Sequence, residues 1–340
     1  KYNILIIKMI IDVYKHYVFD YLDTISQIRL LNTCRTFRNK LDITDLYNID
    51  EKYKRRLTQK IIDRYKNLNK LAISYNSKIT NVNHLANLEI LDASGYNCGI
   101  NDAGIKHCIN LKSLNVSNNP TITTANHLIN LEILNASKDC GINDAGIKHC
   151  INLKSLNVSN NPTITTVNHL INLEILDASK DCGINDAGIK LCTNLKSLNA
   201  SSNQSITIVN HLINLEKLDA SNSCGINDAG IIDCVNLQSL IATSNSKITY
   251  VNHLSKLEIL DVSCNYQIND AGLMHCTNLE TLNAFNSPQI TNVNHLKKLK
   301  ILESGNNCGI NDAGIIGCVN LESLGASENL KITTVNHLAK

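Results

Sequence analysis

The sequence predicts an α/β solenoid, with a curved parallel β-sheet on the concave face, short helices and 3₁₀ turns on the convex face, and a small α-helical N-terminal segment. Three observations predict it. The tripeptide NHL recurs with its His at 84, 127, 169, 211, 253, 295 and 337, a spacing of 43 once and then 42 five times. Each period splits into unequal units, 20 residues as in NLKSLNVSNNPTITTVNHLI (152–171) and 22 as in NLEILDASKDCGINDAGIKLCT (172–193). Both carry the frame L-x-x-L-x-(A/V)-x-x-(N/D)-x-x-I, and a unit this short buries its apolar face only by stacking on its neighbours.

The first segment carries no repeat. Residues 10–40, IIDVYKHYVFDYLDTISQIRLLNTCRTFRNK, read as two or three short helices, with Val18, Phe19 and Leu22 on one apolar face and Ile25, Ile28, Leu31, Cys34 and Phe37 on another. At VFDYLDTISQIRLLNTCRTFR the segment resembles an F-box, whose outline is a Pro-led apolar helix, I-F-x-Y-L, and a second helix ending in C/S-K/R-x-F/W-R. Ile11 stands where the usual Pro would be, and Lys15 where an apolar residue is common. The resemblance makes residues 1–45 an F-box-like segment whose Val18, Phe19, Leu22, Ile25, Ile28 and Leu31 engage the Skp-type adaptor of a cullin-RING ubiquitin ligase. The alternative is a plain helical cap packed on the first coil. Residues 46–66, LYNIDEKYKRRLTQKIIDRYK, read as a basic amphipathic linker or capping helix.

From residue 67 to 340 run about 13 units, seven short and six long. Leu153, Leu156 and Val158 alternate with polar residues, as a short strand with one buried face requires. Eight residues after the first Leu stand Asn76, Asn119, Asn161, Asn203, Asn245, Asn265, Asn307 and Asn329, with Asp139 and Asp181 between them. A side chain there is expected to satisfy backbone groups of its own and the adjacent coil. Asn143 or Asp144 is expected to N-cap a short helix through Cys150, whereas ITTVNHL leaves room for only a tight turn or 3₁₀ segment. The frame resembles leucine-rich repeats over roughly four fifths of the chain. The long CGINDAGIKHC units look like the cysteine-containing subtype and the short ITTVNHLINL units like those of internalin-type proteins.

Of thirteen Cys, eleven fall into two columns in phase with the repeat. Cys108, Cys150, Cys192, Cys234, Cys276 and Cys318 occupy the slot that Leu128, Leu170 and Leu212 take in short units. Cys98, Cys140, Cys182, Cys224 and Cys308 form a second column beside the Asn/Asp position, and no CxxC pair exists. Reduced, buried thiols are expected, and with them a reducing, cytoplasmic compartment, a host-cell cytoplasm included. The His column, extended by His107, His149 and His275, is interrupted by Leu191, Asp233 and Gly317, so no metal site is expected.

The residue after the first Leu alternates in charge, as in Glu132, Lys154, Glu174 and Lys196, which sets register on the sheet. The alternation fails from Gln238 to Glu280, where Glu258 meets Glu280. Nearby, Lys217 replaces the usual Ile, Ile241 replaces Asn or Asp, and Phe285 replaces Ser. In an array of near-copies such breaks mark a particular ligand, so Lys217, Ile241, Phe285 and Glu303 are the candidate partner-binding residues of the concave face. Neutral drift in a duplicated array is the alternative.

Composition narrows the function. Among 340 residues there are 50 Asn, no Trp and 4% aromatics, which speaks against an aromatic cofactor cage. Residues 1–70 hold 15 Lys and Arg against 8 Asp and Glu, a balance of +7, which leaves 17 against 22, or −5, for the array. An array of that sign disfavours nucleic-acid binding. The apolar stretch NILIIKMIIDV is about ten residues long against roughly 20 for a membrane span. No P-loop, G-x-S-x-G, H-E-x-x-H or G-x-G-x-x-G occurs, so no enzyme, catalytic residue or cofactor is expected. The chain reads as a protein–protein interaction scaffold, a substrate-recruiting F-box adaptor holding an unknown protein substrate on its concave face. The alternative is a leucine-rich repeat binding protein with no ubiquitin role. The Asn, Ile, Lys and Tyr bias of near-identical units resembles repeat families of large DNA viruses of amoebae, where an F-box would act on host ubiquitination. The sequence stops at NHLAK without a divergent polar cap, which is expected to leave Leu321, Leu324 and Ile332 at an exposed edge.

Overall fold

A computed structural model describes residues 24–33 and 43–335. The chain divides into two units, Lys1–Asn152 and Leu153–Lys340. In the first, helix α1 (Thr24–Thr33) precedes five parallel strands, β1 (Asp45–Leu46), β2 (Lys70–Ala72), β3 (Ile90–Asp92), β4 (Ser113–Asn115) and β5 (Ile133–Asn135). The second contains β6 (Ser155–Asn157), β7 (Ile175–Asp177), β8 (Ser197–Asn199), β9 (Lys217–Asp219), β10 (Ser239–Ile241), β11 (Ile259–Asp261), β12 (Thr281–Asn283), β13 (Ile301–Glu303) and β14 (Ser323–Gly325). Each of these is parallel to the strand before it within the unit, with the central leucines in register, as Leu240 is with Leu218 and Leu260.

One coil shows why the frame folds this way. Leu111, Leu114 and Val116 point inward from β4 and its flanks, and Ile122, Ala125 and Leu128 close the loop around the same core, all at 0–1% exposure. Each coil supplies a single apolar layer, so its burial comes from the coils above and below. Long units add a helical turn, such as Asp102–Ile105 or Asp186–Ile189, of four residues only. Asn101 and Asn185 cap these turns by accepting from the backbone N–H of Gly104 and Gly188.

Just after each strand from β2 onward the chain enters the left-handed region, at Gly95 after β3 and, with φ between 54° and 62°, at twelve non-glycine residues among those described. Asn, which tolerates this conformation, fills five of them: Asn118, Asn160, Asn222, Asn286 and Asn306. After eight of the twelve the next residue turns inward. Asn119 donates from Nδ2 to the carbonyls of Ala93 (2.8 Å) and Ile100 (3.1 Å) in the preceding coil and accepts from the Thr121 N–H (3.0 Å). Asn203 and Asn245 repeat the arrangement in the second unit.

Two expectations change. Asp139, Asp181 and Asn307 face solvent instead of joining the inner Asn column. The residue after each, Cys140, Cys182 or Cys308, is buried there, and Cys140 and Cys182 accept the N–H of Ile142 and Ile184 through Sγ. Residues 46–66 form no single helix either. Asp50 caps a turn at Glu51–Lys54, Thr58 is extended, and a second turn follows at Gln59–Ile62. Ile43, Leu46, Leu57 and Ile62 are buried, and β1 pairs with β2, so this segment is a divergent coil stacked beneath the array. At the other end Leu321, Leu324 and Ile332 are half-buried, whereas Leu299 and Leu302 one coil earlier are fully buried.

Lys180 holds φ at 62° in the left-handed column. Replacing it with Asn is expected to stabilise the second unit by about 0.5 kcal/mol, because Asn meets a smaller penalty there. Urea denaturation of the full chain checks this, and a loss of stability contradicts the conformational account.

Candidate functional site

Away from the sheet, the repeated polar groups are occupied by their neighbours. In the motif Asn126-His127-Leu128, Asn126 reaches forward, donating to the Ala145 carbonyl (2.7 Å) and accepting the His149 N–H (2.8 Å). His127 reaches back, its Nε2 lying 3.1 Å from the Ile105 carbonyl. A carbonyl only accepts, so Nε2 carries the proton. His211, His253 and His295 repeat this contact with Ile189, Ile231 and Leu273. Asp102 and Asp186 bind both the N–H and the hydroxyl of Thr123 and Thr207 one coil on. Gly146 in such a turn has no room for a Cβ, which would overlap the Thr123 carbonyl oxygen. Among the described residues no group of three or more His, Cys, Asp and Glu is placed to hold a metal ion, and no helix is long and apolar enough to cross a membrane.

The thiols are similarly placed. Cys108, Cys192, Cys234, Cys276 and Cys318 are buried and donate to the carbonyls of Val82, Val167, Val209, Val251 and Val293. Burial pushes Cys108, Cys150 and Cys192 up to about 11, and Cys234 and Cys276 to about 12. Within each unit successive Cys of a column lie two coils apart, roughly 9.6 Å, beyond the ~7 Å limit for a disulfide. Geometry alone keeps them from pairing along the column, so their free state carries no information about compartment.

The outward side of the sheet in the second unit is different. Lys217 opens β9, exposed, between Ser197 and Ser239. Ile241 closes β10 between Asp219 and Asp261. Glu303 closes β13 between Asn283 and Gly325, and Phe285, 38% exposed, lies two residues past β12. All four sequence-predicted residues therefore share one solvent-facing surface, spread over four strand intervals or roughly 19 Å. On the same face Lys196 binds Glu174 at 2.8 Å and Lys300 binds Glu280 at 2.7 Å. The hydrogen bond and charge of Lys196 hold the Glu174 carboxyl below its ordinary range.

Two residues that the sequence reading passed over belong to this surface. A Cβ on Gly305 would come within 3.0 Å of Phe285 Cδ2, and one on Gly325 would overlap the Glu303 carboxylate. The available signal was a Gly in rows that elsewhere hold Ser and Asn or Asp. Of the residues assigned to adaptor binding, Val18, Phe19 and Leu22 lie outside the described residues. Ile25 and Ile28 are half-buried on α1, and Leu31 belongs to the same helix.

No protein-family model matches the chain, and no curated protein matches it. Among solved structures, an internalin (inlF) from Listeria monocytogenes superposes with a TM-score of 0.61 at 25% identity, over 83% of this chain and 86% of that one. The chain has a leucine-rich repeat solenoid fold. Two further structures match at 19% identity and a TM-score of 0.48. One is the functional domain of InlJ from Listeria monocytogenes, described as including a cysteine ladder, with 84% of this chain and 58% of that one covered. The other is a leucine-rich repeat protein of Leptospira interrogans, with 84% and 88% covered.

The thiol columns make the leucine-rich repeat array sensitive to alkali. Unfolded thiols ionise near pH 8.5, so the unfolded chain releases protons first as pH rises, and each raised thiol contributes stability that is whole below about pH 8.5 and lost towards about pH 11. The urea midpoint is expected to stay flat from about pH 6 to 8 and to fall between about pH 9 and 11. A midpoint unchanged across the upper window contradicts buried, neutral thiols.

Proposed function

We propose that this leucine-rich repeat protein is an interaction scaffold that holds a protein partner on the solvent-facing side of β9–β13. The observation that carries the reading is the convergence of Lys217, Ile241, Phe285 and Glu303 on one surface. Each breaks the repeat at a position that the strand pattern assigns to the outward face. Repeated polar groups elsewhere are engaged between coils, whereas these side chains point into solvent. An aromatic and an aliphatic residue ringed by charge is the composition of an interface centre.

The motif VFDYLDTISQIRLLNTCRTFR supports a second, finer reading, in which the first segment docks a Skp-type adaptor and the array recruits a substrate to a cullin-RING ligase. The helical state of Thr24–Thr33 accords with the second helix of that motif. In the viral reading the ligase is the host's.

A photo-crosslinking residue at Ile259, on the sheet face, is expected to trap a protein partner that the same residue at Leu191, beside a helical turn, does not. Equal trapping from both positions contradicts a face-specific site. For the finer reading, the full chain is expected to pull down a Skp-type adaptor and the F19A/L22A chain to lose it with an unchanged circular-dichroism signal. No capture by the wild-type chain removes the ligase role.

A further inference from the structure

We infer that the partner presents a cationic, arginine- or lysine-bearing segment to the β11–β13 end of the sheet face, a conclusion that rests on the scaffold reading and names the chemistry its site selects. The outward positions of these three coils carry Glu258, Asp261, Glu280 and Glu303 against Lys300 alone, a balance of −3. On β6–β8 the corresponding positions carry Lys154 and Lys196 against Glu174 and Asp177, a balance of zero. The single Lys300 is engaged with Glu280 at 2.7 Å, and Glu258 and Glu303 make no ion pair among the described residues. The surface is therefore short of positive charge where the repeat has been altered, and a cationic partner supplies it.

The alterations come in pairs. Phe285 stands where Ser263 and Ser327 stand in their coils, and the residue beside it in the next coil is Gly305, against whose α-carbon the ring lies. Glu303 stands where other coils have Asn or Asp, and the residue beside it is Gly325, over which its carboxylate extends. Drift at independent positions does not match a bulky residue with a neighbouring glycine twice in adjacent coils. The two glycines give the ring and the carboxylate room on the sheet while leaving both open to solvent. The α-carbons of Phe285 and Glu303 are one coil and two residues apart, roughly 8 Å. An aromatic face and a free carboxylate at that separation suit a guanidinium or ammonium group, which stacks on one and hydrogen-bonds the other. Ile259 and Ile301, 45% and 41% exposed on the same face, meet the aliphatic stem of such a side chain.

The test uses the full chain and a fluorescein-labelled decapeptide of alternating Arg and Gly, with one of alternating Glu and Gly as control, read by fluorescence polarisation. The Arg peptide is expected to bind and the Glu peptide not. F285S, which leaves the charge unchanged, is expected to weaken binding about threefold and F285S/E303N about tenfold. Both substitutions restore residues that other coils carry at these positions, so the fold is retained, and D233N beside a helical turn is expected to change nothing. Equal binding of the two peptides, or no effect of the double variant, overturns the inference. Crosslinking from Ile259 separates the two possible failures. A partner trapped there that ignores F285S/E303N overturns the cationic chemistry and leaves the scaffold, whereas no trapped partner overturns both.

Discussion

The inward asparagine that ties alternate coils to the one before, as at Asn119, Asn203, Asn245 and Asn329, is the constraint on which the rest of the structure depends. Three-residue strands satisfy few backbone groups, and the corners of a coil leave carbonyls buried without a ladder partner. Each such group, if unpaired, costs roughly 1–3 kcal/mol. Asn203 answers two of them at once, the Ala178 and Ile184 carbonyls of the preceding coil, while its own Oδ1 accepts from Ser205. The amide is short, has both donor and acceptor, and carries no charge to desolvate. The same combination serves Asn126 of the NHL motif and the Asn101 cap of a helical turn.

The same logic runs through the outer turns and decides where function resides. In NHL the Asn binds the following coil, the His the preceding one, and the Leu enters the core. A group repeated from period to period and bonded between coils in the same way does not distinguish one place on the array from another. In the proposed reading specificity falls to positions that differ from their counterparts, and Lys217, Ile241, Phe285 and Glu303 are those on the sheet face of the second unit, where a side chain has neighbours on two sides and solvent on the third.

The strands, their register and the burial of Cys108 and its counterparts were legible from sequence, because each is a consequence of period and phase. What was not legible depends on local geometry. Asp139 and Asp181 fit the Asn column by counting, but their turn holds one more residue before the chain re-enters the core, so Cys140 and Cys182 go inward. Residues 46–66 show the periodicity of a helix, and only the extended Thr58 reveals two turns around a divergent coil. The role of His127 depends on a carbonyl 22 residues away, which no pattern within one unit reveals. Gly305 and Gly325 mattered through the side chains beside them, a relation between coils that a column-by-column reading passes over.

Hydrogen–deuterium exchange by mass spectrometry on the full chain and on Asn203→Ala tests most directly whether the inward asparagine couples adjacent coils. Exchange of the β7 and β8 amides is predicted to accelerate together, by about 10- to 100-fold for a loss of roughly 1.4–2.7 kcal/mol, while coils two or more away keep their protection. Acceleration confined to the turn around residue 203, with β7 unchanged, would contradict the coupling.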